Sequence, residues 1–213
     1  MKKTYLLGSM ILSILALAVT VVVLSLTGVF NSGEQRLLVF STESQTKIYD
    51  GEPLVNGKWK LVSGELEDGH TLVPTVHGSQ TAAGTSENKM SVKILDANQV
   101  DVTGDYRIEY RPGKLTVNQR SIKVASDSAS KQYDGTPITC ETFKTVSGNL
   151  LTGHRLNVQF GISRTEVGSS ENIITVTVLD RSNAQVTANY DIYTIYGSLT
   201  ISGYTITIAT PSL

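Results

Sequence analysis

The stretch Lys47-Ile48-Tyr49-Asp50-Gly51, with Pro53 close behind it, decides how this chain is interpreted. The chain repeats it as Lys131-Gln132-Tyr133-Asp134-Gly135, followed by Pro137. Tyr49 and Tyr133 are separated by 84 positions, and the same offset aligns the rest of the repeat without a gap. A long repeat without gaps indicates two copies of one structural module.

The shared positions show what has been duplicated. They are mostly glycines, polar residues that favour turns, and alternating apolar residues, which is typical of a duplicated scaffold rather than of a duplicated catalytic site. The clearest pairs are Val62-Ser63-Gly64 with Val146-Ser147-Gly148, Gly69-His70 with Gly153-His154, Ser86-Glu87-Asn88 with Ser170-Glu171-Asn172, and Tyr106 with Tyr190.

Short alternating runs predict strands in both copies. Residues 90–94 and 106–111 alternate apolar and polar side chains in the first copy, and residues 174–178 and 190–192 do so in the second. Such runs bury one face of a sheet. We therefore predict an all-β chain of two tandem antiparallel β-sandwich-like, Ig-like modules. The alternative is a β-grasp variant with one short helix near residues 61–67.

The motifs carry a resemblance to a known family. The K-x-Y-D-G-x-P opening, a Gly-His pair in the middle, an N-Y-x-I near the end and a closing G-x-L-T-[IV] together resemble the YDG/MBG-type modules that are repeated in tandem on bacterial surface proteins. The resemblance covers nearly everything after residue 35. It implies an exported, all-β, non-enzymatic module, and it does not specify a ligand.

The N-terminus predicts a membrane anchor. Lys2 and Lys3 precede an uncharged stretch from Tyr5 to Phe30, which is long enough to cross a hydrocarbon core of about 30 Å as a helix. The apolar run continues past the cleavage-like Ala16-Leu17-Ala18, so an uncleaved single-pass anchor is favoured over a removed signal peptide. The modules would then lie outside the cytoplasmic membrane with the N-terminus inside; with cleavage, the protein would be secreted.

The expected organisation has four parts, and the junction between the modules is tight. The apolar positions change phase between Leu115-Val117 and Ile122-Val124, so the last strand of one module is expected to run into the first strand of the next. Tyr204–Ile208 takes the place of a third first strand, which either starts a third module or completes an edge of the second. The parts are the anchor and connector at 1–35, module one at 36–119, module two at 120–203, and a C-terminal strand at 204–213.

Composition limits the partners. The net charge is −1, with acidic and basic residues interspersed, which provides no field to attract nucleic acid. The single cysteine, Cys140, cannot form a disulfide within the chain. The expected partners are the membrane, through the N-terminal helix, and a cell-surface glycan, a wall polymer or an extracellular protein.

The repeated Tyr-Asp-Gly and Gly-His motifs are interpreted as structural signatures. In Tyr49-Asp50-Gly51 and Tyr133-Asp134-Gly135 an aromatic anchor precedes an Asp-Gly turn, in which Asp accepts backbone hydrogen bonds and Gly adopts positive φ. His70 and His154 each follow a glycine at the start of a predicted strand. Because they recur at a turn, they are interpreted as structural residues.

Two aromatic positions are the candidates for ligand contact. Trp59 in module one corresponds to Phe143 in module two, and either could stack on a sugar ring. The alternation of Trp59 and Leu61 with the flanking lysines favours core packing for the tryptophan.

No catalytic, metal or cofactor site is predicted. A triad of Ser63, His70 and Asp50 can be drawn, but it would have to occur twice in one small chain. The oxygen-rich loop from Asp96 to Asp105 does not have EF-hand spacing and is interpreted as a polar loop. An isopeptide bond between a recurrent lysine, Lys47, and a recurrent asparagine, Asn88, is a further alternative to a solvated lysine and a loop asparagine.

These observations predict a membrane-anchored extracellular protein that acts as a surface display, spacer or adhesion element. The alternative is a carbohydrate- or cell-wall-binding module.

Overall fold

A computed structural model describes residues 35–161 and 163–209. This part of the chain is all-β, with sixteen strands and two one-turn 3₁₀ helices, so the predicted fold class is confirmed at that level. The predicted N-terminal helix falls in residues 1–34 and lies outside the described residues. Within 35–161 and 163–209, no helix has the length and apolar character needed to cross a membrane.

The two modules contain the same elements in the same order. Module one consists of β1 Arg36–Thr42, β2 Gln45–Ile48, β3 Trp59–Ser63, β4 Thr71–Val76, β5 Gly84–Asn88, β6 Met90–Leu95, the 3₁₀ turn Thr103–Asp105, β7 Tyr106–Arg111 and β8 Gly113–Asn118. Module two consists of β9 Arg120–Ser126, β10 Ala129–Gln132, β11 Phe143–Ser147, β12 Arg155–Phe160, β13 Gly168–Asn172, β14 Ile174–Leu179, the 3₁₀ turn Thr187–Asn189, β15 Tyr190–Ile195 and β16 Gly197–Ser202.

Each module contains three small sheets, and their pairing is mixed. The orders in module one are β3-β1-β7, β2-β8-β5 and β4-β6, and module two repeats them as β11-β9-β15, β10-β16-β13 and β12-β14. The prediction of antiparallel modules was wrong in part, because β1 pairs in parallel with β7 and β2 with β8. The alternating runs could not show this, since period two is the same in either kind of ladder.

The core of module one forms where two sheets bury their apolar sides against each other. Strand β6 alternates as predicted, with Met90, Val92 and Ile94 buried, and these side chains cluster with Leu38 and Phe40 of β1. The short helix required by the β-grasp alternative is absent from residues 61–67, all of which are described: β3 continues to Ser63, and no helix follows before β4.

In each module a fully buried asparagine binds two loops of that module through its side-chain amide. The Asn88 side-chain amide donates hydrogen bonds to the carbonyl oxygens of Glu43 (3.0 Å) and Asn56 (2.9 Å). Asn172 does the same with Asp127 and Cys140, at 2.9 Å each. Because these acceptors lie in loop segments remote in sequence, one side chain satisfies backbone groups that no ladder reaches.

Gln119 alone separates β8 from β9. The buried residues on either side of it, Leu115 and Val117 before and Ile122 and Val124 after, belong to one continuous apolar cluster. The change of phase in the sequence therefore lies where the chain passes from module one directly into module two, with no linker between them. Beyond β16, residues 203–209 form neither strand nor helix, so the part of the expected strand at 204–213 that the structure describes, residues 204–209, is not a strand.

Candidate functional site: the joint between the modules

The Tyr-Asp-Gly stretches form the same turn in both modules. The Asp50 Oδ1 atom accepts hydrogen bonds from the Glu52 backbone N–H (3.0 Å) and from the Lys47 ammonium. Gly51 has a φ of +85° and Gly135 a φ of +80°, values that glycine adopts without steric cost. The motif thus fixes the orientation of the tyrosine that precedes it.

The Lys131 ammonium lies 2.7 Å from Asp134 Oδ1. This ammonium and hydrogen bonds from Thr136 hold the pKa of Asp134 well below its ordinary value, and the Lys47 ammonium lowers the pKa of Asp50 in the same way. A carboxylate whose folded-state pKa is depressed stabilises the fold above its unfolded pKa of about 4, and that contribution is lost as pH falls through the folded value.

Replacing Lys131 by methionine is expected to raise the pKa of Asp134 toward the ordinary value of about 3.9. The carboxyl-carbon chemical shift, followed by NMR from neutral pH downward, measures this directly. Lys144→Met removes a lysine that pairs with Asp127 instead and should leave the Asp134 titration unchanged. An Asp134 midpoint that is the same with and without Lys131 would contradict the assignment.

Tyr49 projects from module one into module two. Its ring centroid lies 5.8 Å from that of Tyr190, in an edge-to-face arrangement, and 6.3 Å from that of His154. Only 6% of Tyr49 is exposed. Burial raises its pKa, and the nearby Tyr190 and Asp180 add to the shift. The aromatic residue of the turn motif is therefore a buried contact between the two modules.

A histidine–tyrosine pair in module two receives Tyr49. His154 Nδ1 and the Tyr190 hydroxyl are 2.8 Å apart, and the same hydroxyl accepts a hydrogen bond from the Leu151 backbone N–H (3.2 Å). Module one contains the corresponding pair, with His70 Nδ1 2.7 Å from the Tyr106 hydroxyl. We call each of these a His–Tyr pair. The recurrence of His and Tyr at one offset was visible in the sequence, but their contact across 36 residues was not.

Polar contacts surround the tyrosine. The Ala83 backbone N–H of module one donates to Asn189 Oδ1 of module two at 2.7 Å, and Gln119 Nε2 donates to the Ala188 carbonyl at 3.0 Å. A Cβ placed on Gly51 would lie 3.3 Å from Leu151 Cδ1, so the turn itself is close to the second module. Apolar burial is thus bordered by hydrogen bonds, as in other specific protein interfaces.

Trp59 and Phe143 differ in position. Trp59 is partly buried against the core of module one, with its ring centroid 6.1 Å from that of Phe40. Phe143 is 39% exposed on β11. The structure brings neither aromatic side chain to the joint.

The side chains considered for chemistry have other partners. Asp50 binds Lys47, and His70 binds Tyr106, so the drawn triad with Ser63 is not assembled. Asp96 Oδ1 accepts two backbone N–H bonds at 2.8 Å within its own loop. In residues 35–161 and 163–209, no three His, Cys, Asp or Glu side chains are grouped so that they could hold a metal ion.

The lysine and asparagine considered for an isopeptide bond are engaged separately. The Lys47 ammonium donates to Asp50 and to the Glu52 carbonyl. The Asn88 amide donates to two backbone carbonyls of other loops. Among the described residues, no hydrogen bond joins the two groups.

Module one also has an open cavity of about 300 Å³. Phe40, Met90 and Tyr110 form apolar parts of its lining, Lys89 and Arg111 add positive charge, and Glu87 adds one negative charge. Among the described residues neither of these two cations forms an ion pair. The corresponding positions in module two are Ile173 and Ile195, so this charge distribution is not part of the repeated scaffold.

Comparison with known proteins gives no assignment. No family model and no curated protein matches the sequence.

Proposed function

We propose that this chain is a membrane-anchored extracellular protein whose two YDG-type, sandwich-like modules act as a stiff spacer or display element at the cell surface. The observation that carries the proposal is the shared apolar cluster of the joint. There Tyr49, Leu115 and Val117 of module one pack with Ile122 and Tyr190 of module two. Two modules that share buried side chains cannot reorient without exposing apolar surface, which costs free energy.

The stiffness can be measured by electron paramagnetic resonance. Spin labels at Ser91→Cys on β6 and Thr175→Cys on β14 occupy exposed positions of the two modules, after Cys140→Ser removes the native thiol. A single narrow distance distribution is expected, and Tyr49→Ala should broaden it. A broad distribution in the protein that retains Tyr49 would exclude the spacer function.

The anchor is tested in cells. The intact chain is expected in the membrane fraction, with both modules accessible to protease added from outside. Mass spectrometry of the N-terminus provides the second readout. A mature chain that begins after Ala18 would show that the segment is a cleaved signal and that the protein is secreted.

The cavity of module one favours a second function, binding of an acidic glycan or wall polymer. Lys89 and Arg111 outweigh the single carboxylate of Glu87 and leave a net positive charge beside Phe40 and Tyr110. Positive charge next to aromatic surface suits a sugar that bears carboxylate or phosphate groups. Saturable binding of residues 34–213 to such polymers, lost in Lys89→Glu but kept in Lys114→Glu, would support it. Lys114 is exposed and lies outside the cavity lining. Equal binding by both variants would contradict it.

A further inference from the structure

The far end of module two repeats the surface with which module one contacts its neighbour. Tyr133 corresponds to Tyr49, and Val167 corresponds to Ala83, the residue before Gly84. Leu199 and Ile201 form a small buried cluster with Ile138, and Tyr133 packs at its edge. In module one, the matching residues belong to a cluster that continues into module two. The end of module two therefore contains the inserting half of the joint, and none of the described residues supplies the receiving half.

The residues at the joint and the corresponding residues at the far end of module two differ in solvent exposure. Tyr49 is buried in the joint, whereas Tyr133 is only partly buried and Val167 is 52% exposed. A Cβ on Gly51 would contact Leu151, while a Cβ on Gly135 would meet no atom within 4 Å. The same turn thus has a neighbour in one copy and open space in the other.

The residues that follow β16 are a second, independent observation. Tyr204, Ile206 and Ile208 are 62%, 82% and 84% exposed. By the repeat offset, Ile206 and Ile208 correspond to Ile122 and Val124 of β9, which are 3% and 0% exposed. Strand β9 is the middle strand of its sheet, between β11 and β15. The segment therefore has the alternating apolar residues of a central strand, but no described strand pairs with it.

We propose that Tyr133, Gly135, Ile138 and Val167, together with residues 204–208, form a docking site for a further module of this kind. That module would take residues 204–208 as its first strand and receive Tyr133 against its own His–Tyr pair. The proposal rests on the proposed spacer function, since it extends the same joint by one unit. Both modules of the chain carry a His–Tyr pair with closely similar geometry, at 2.7 and 2.8 Å, so the receiving half is a general feature of the module.

An extended chain tests the proposal. Residues 1–208 are followed directly by a copy of residues 125–202, so that Tyr204–Ile208 replaces Arg120–Val124 at the start of the added copy. Tyrosine nitration by tetranitromethane, which requires an accessible phenolate, is then quantified at each tyrosine by peptide mass spectrometry. We expect nitration of Tyr133 to slow by roughly tenfold or more in the extended chain, because burial limits reaction to transient opening. Tyr49 should be slow in both chains.

Two variants serve as controls. His154→Ala in the added copy removes the receiving histidine and should restore the Tyr133 rate seen without the extension. A second extended chain, in which Arg120–Val124 replaces residues 204–208, gives the added copy its own first strand. Protection of Tyr133 in that chain but not with residues 204–208 would overturn the strand role of the segment.

Other outcomes are equally decisive. An unchanged Tyr133 rate, or an added copy that stays unfolded in both extended chains, overturns the proposal. Protection of Tyr133 that appears without the extension and rises with protein concentration would overturn it in favour of a second copy of the chain. Fast nitration of Tyr49 would instead contradict the spacer function itself, so the two failures are distinguishable.

Discussion

Replacing Tyr49 by alanine is expected to lower the free energy of unfolding by about 3 kcal/mol, the usual cost of truncating a buried aromatic side chain. The ring is 6% exposed and packs edge-to-face on Tyr190. Its loss should also uncouple the modules. The single tryptophan, Trp59, reports on module one alone, so its fluorescence transition in denaturant should separate from the far-ultraviolet circular dichroism transition of the whole chain.

The repeat supplies a matched control. Tyr133→Ala removes the same side chain from the same turn, but Tyr133 is only partly buried, so we expect a loss of about 1 kcal/mol or less. Equal losses for Tyr49→Ala and Tyr133→Ala would show that the turn, rather than the joint, accounts for the effect.

Asn88→Ala is expected to destabilise module one by about 2–4 kcal/mol. The substitution removes a fully buried side chain and leaves the part-buried carbonyl oxygens of Glu43 and Asn56 without the donor they now have; an unsatisfied polar group withdrawn from water costs about 1–3 kcal/mol. The Trp59 fluorescence transition should move to a markedly lower denaturant concentration.

The controls for this prediction lie in the same chain. Asn98→Ala changes an exposed asparagine of module one and should shift the transition by no more than about 0.5 kcal/mol. Asn172→Ala removes the equivalent buried amide from module two, so its main effect should appear in circular dichroism. A Trp59 transition that Asn88→Ala leaves in place would mean that water replaces the lost donor.

The features that depend on local sequence were predictable. Alternation in residues 90–94 predicted β6, the Asp-Gly pair predicted a turn at Asp50-Gly51, and the phase change around Gln119 predicted directly joined strands. Each of these depends on neighbouring residues alone, through the period of a strand or the hydrogen bonds of a turn.

The joint and the strand pairing could not be predicted in this way. In the sequence, Tyr49 is simply an aromatic residue before a turn. Only the fold of module two places His154 and Tyr190 beside it. Parallel pairing of β1 with β7 likewise brings together residues about 70 positions apart. The alignment of the two copies showed that these residues recur, but recurrence does not reveal which copy contacts which.

The parallel ladders also determine how a module would respond to tension along the chain. Pulling Arg36 and Asn118 apart draws β1 backward and β7–β8 forward, so the paired strands are driven to slide along each other. Because the hydrogen bonds between paired strands run across the direction of sliding, the force loads all of them at once. They must therefore break together rather than one after another. A module tethered at one end and pulled at the other by shear flow should therefore give way at high force and in a single step.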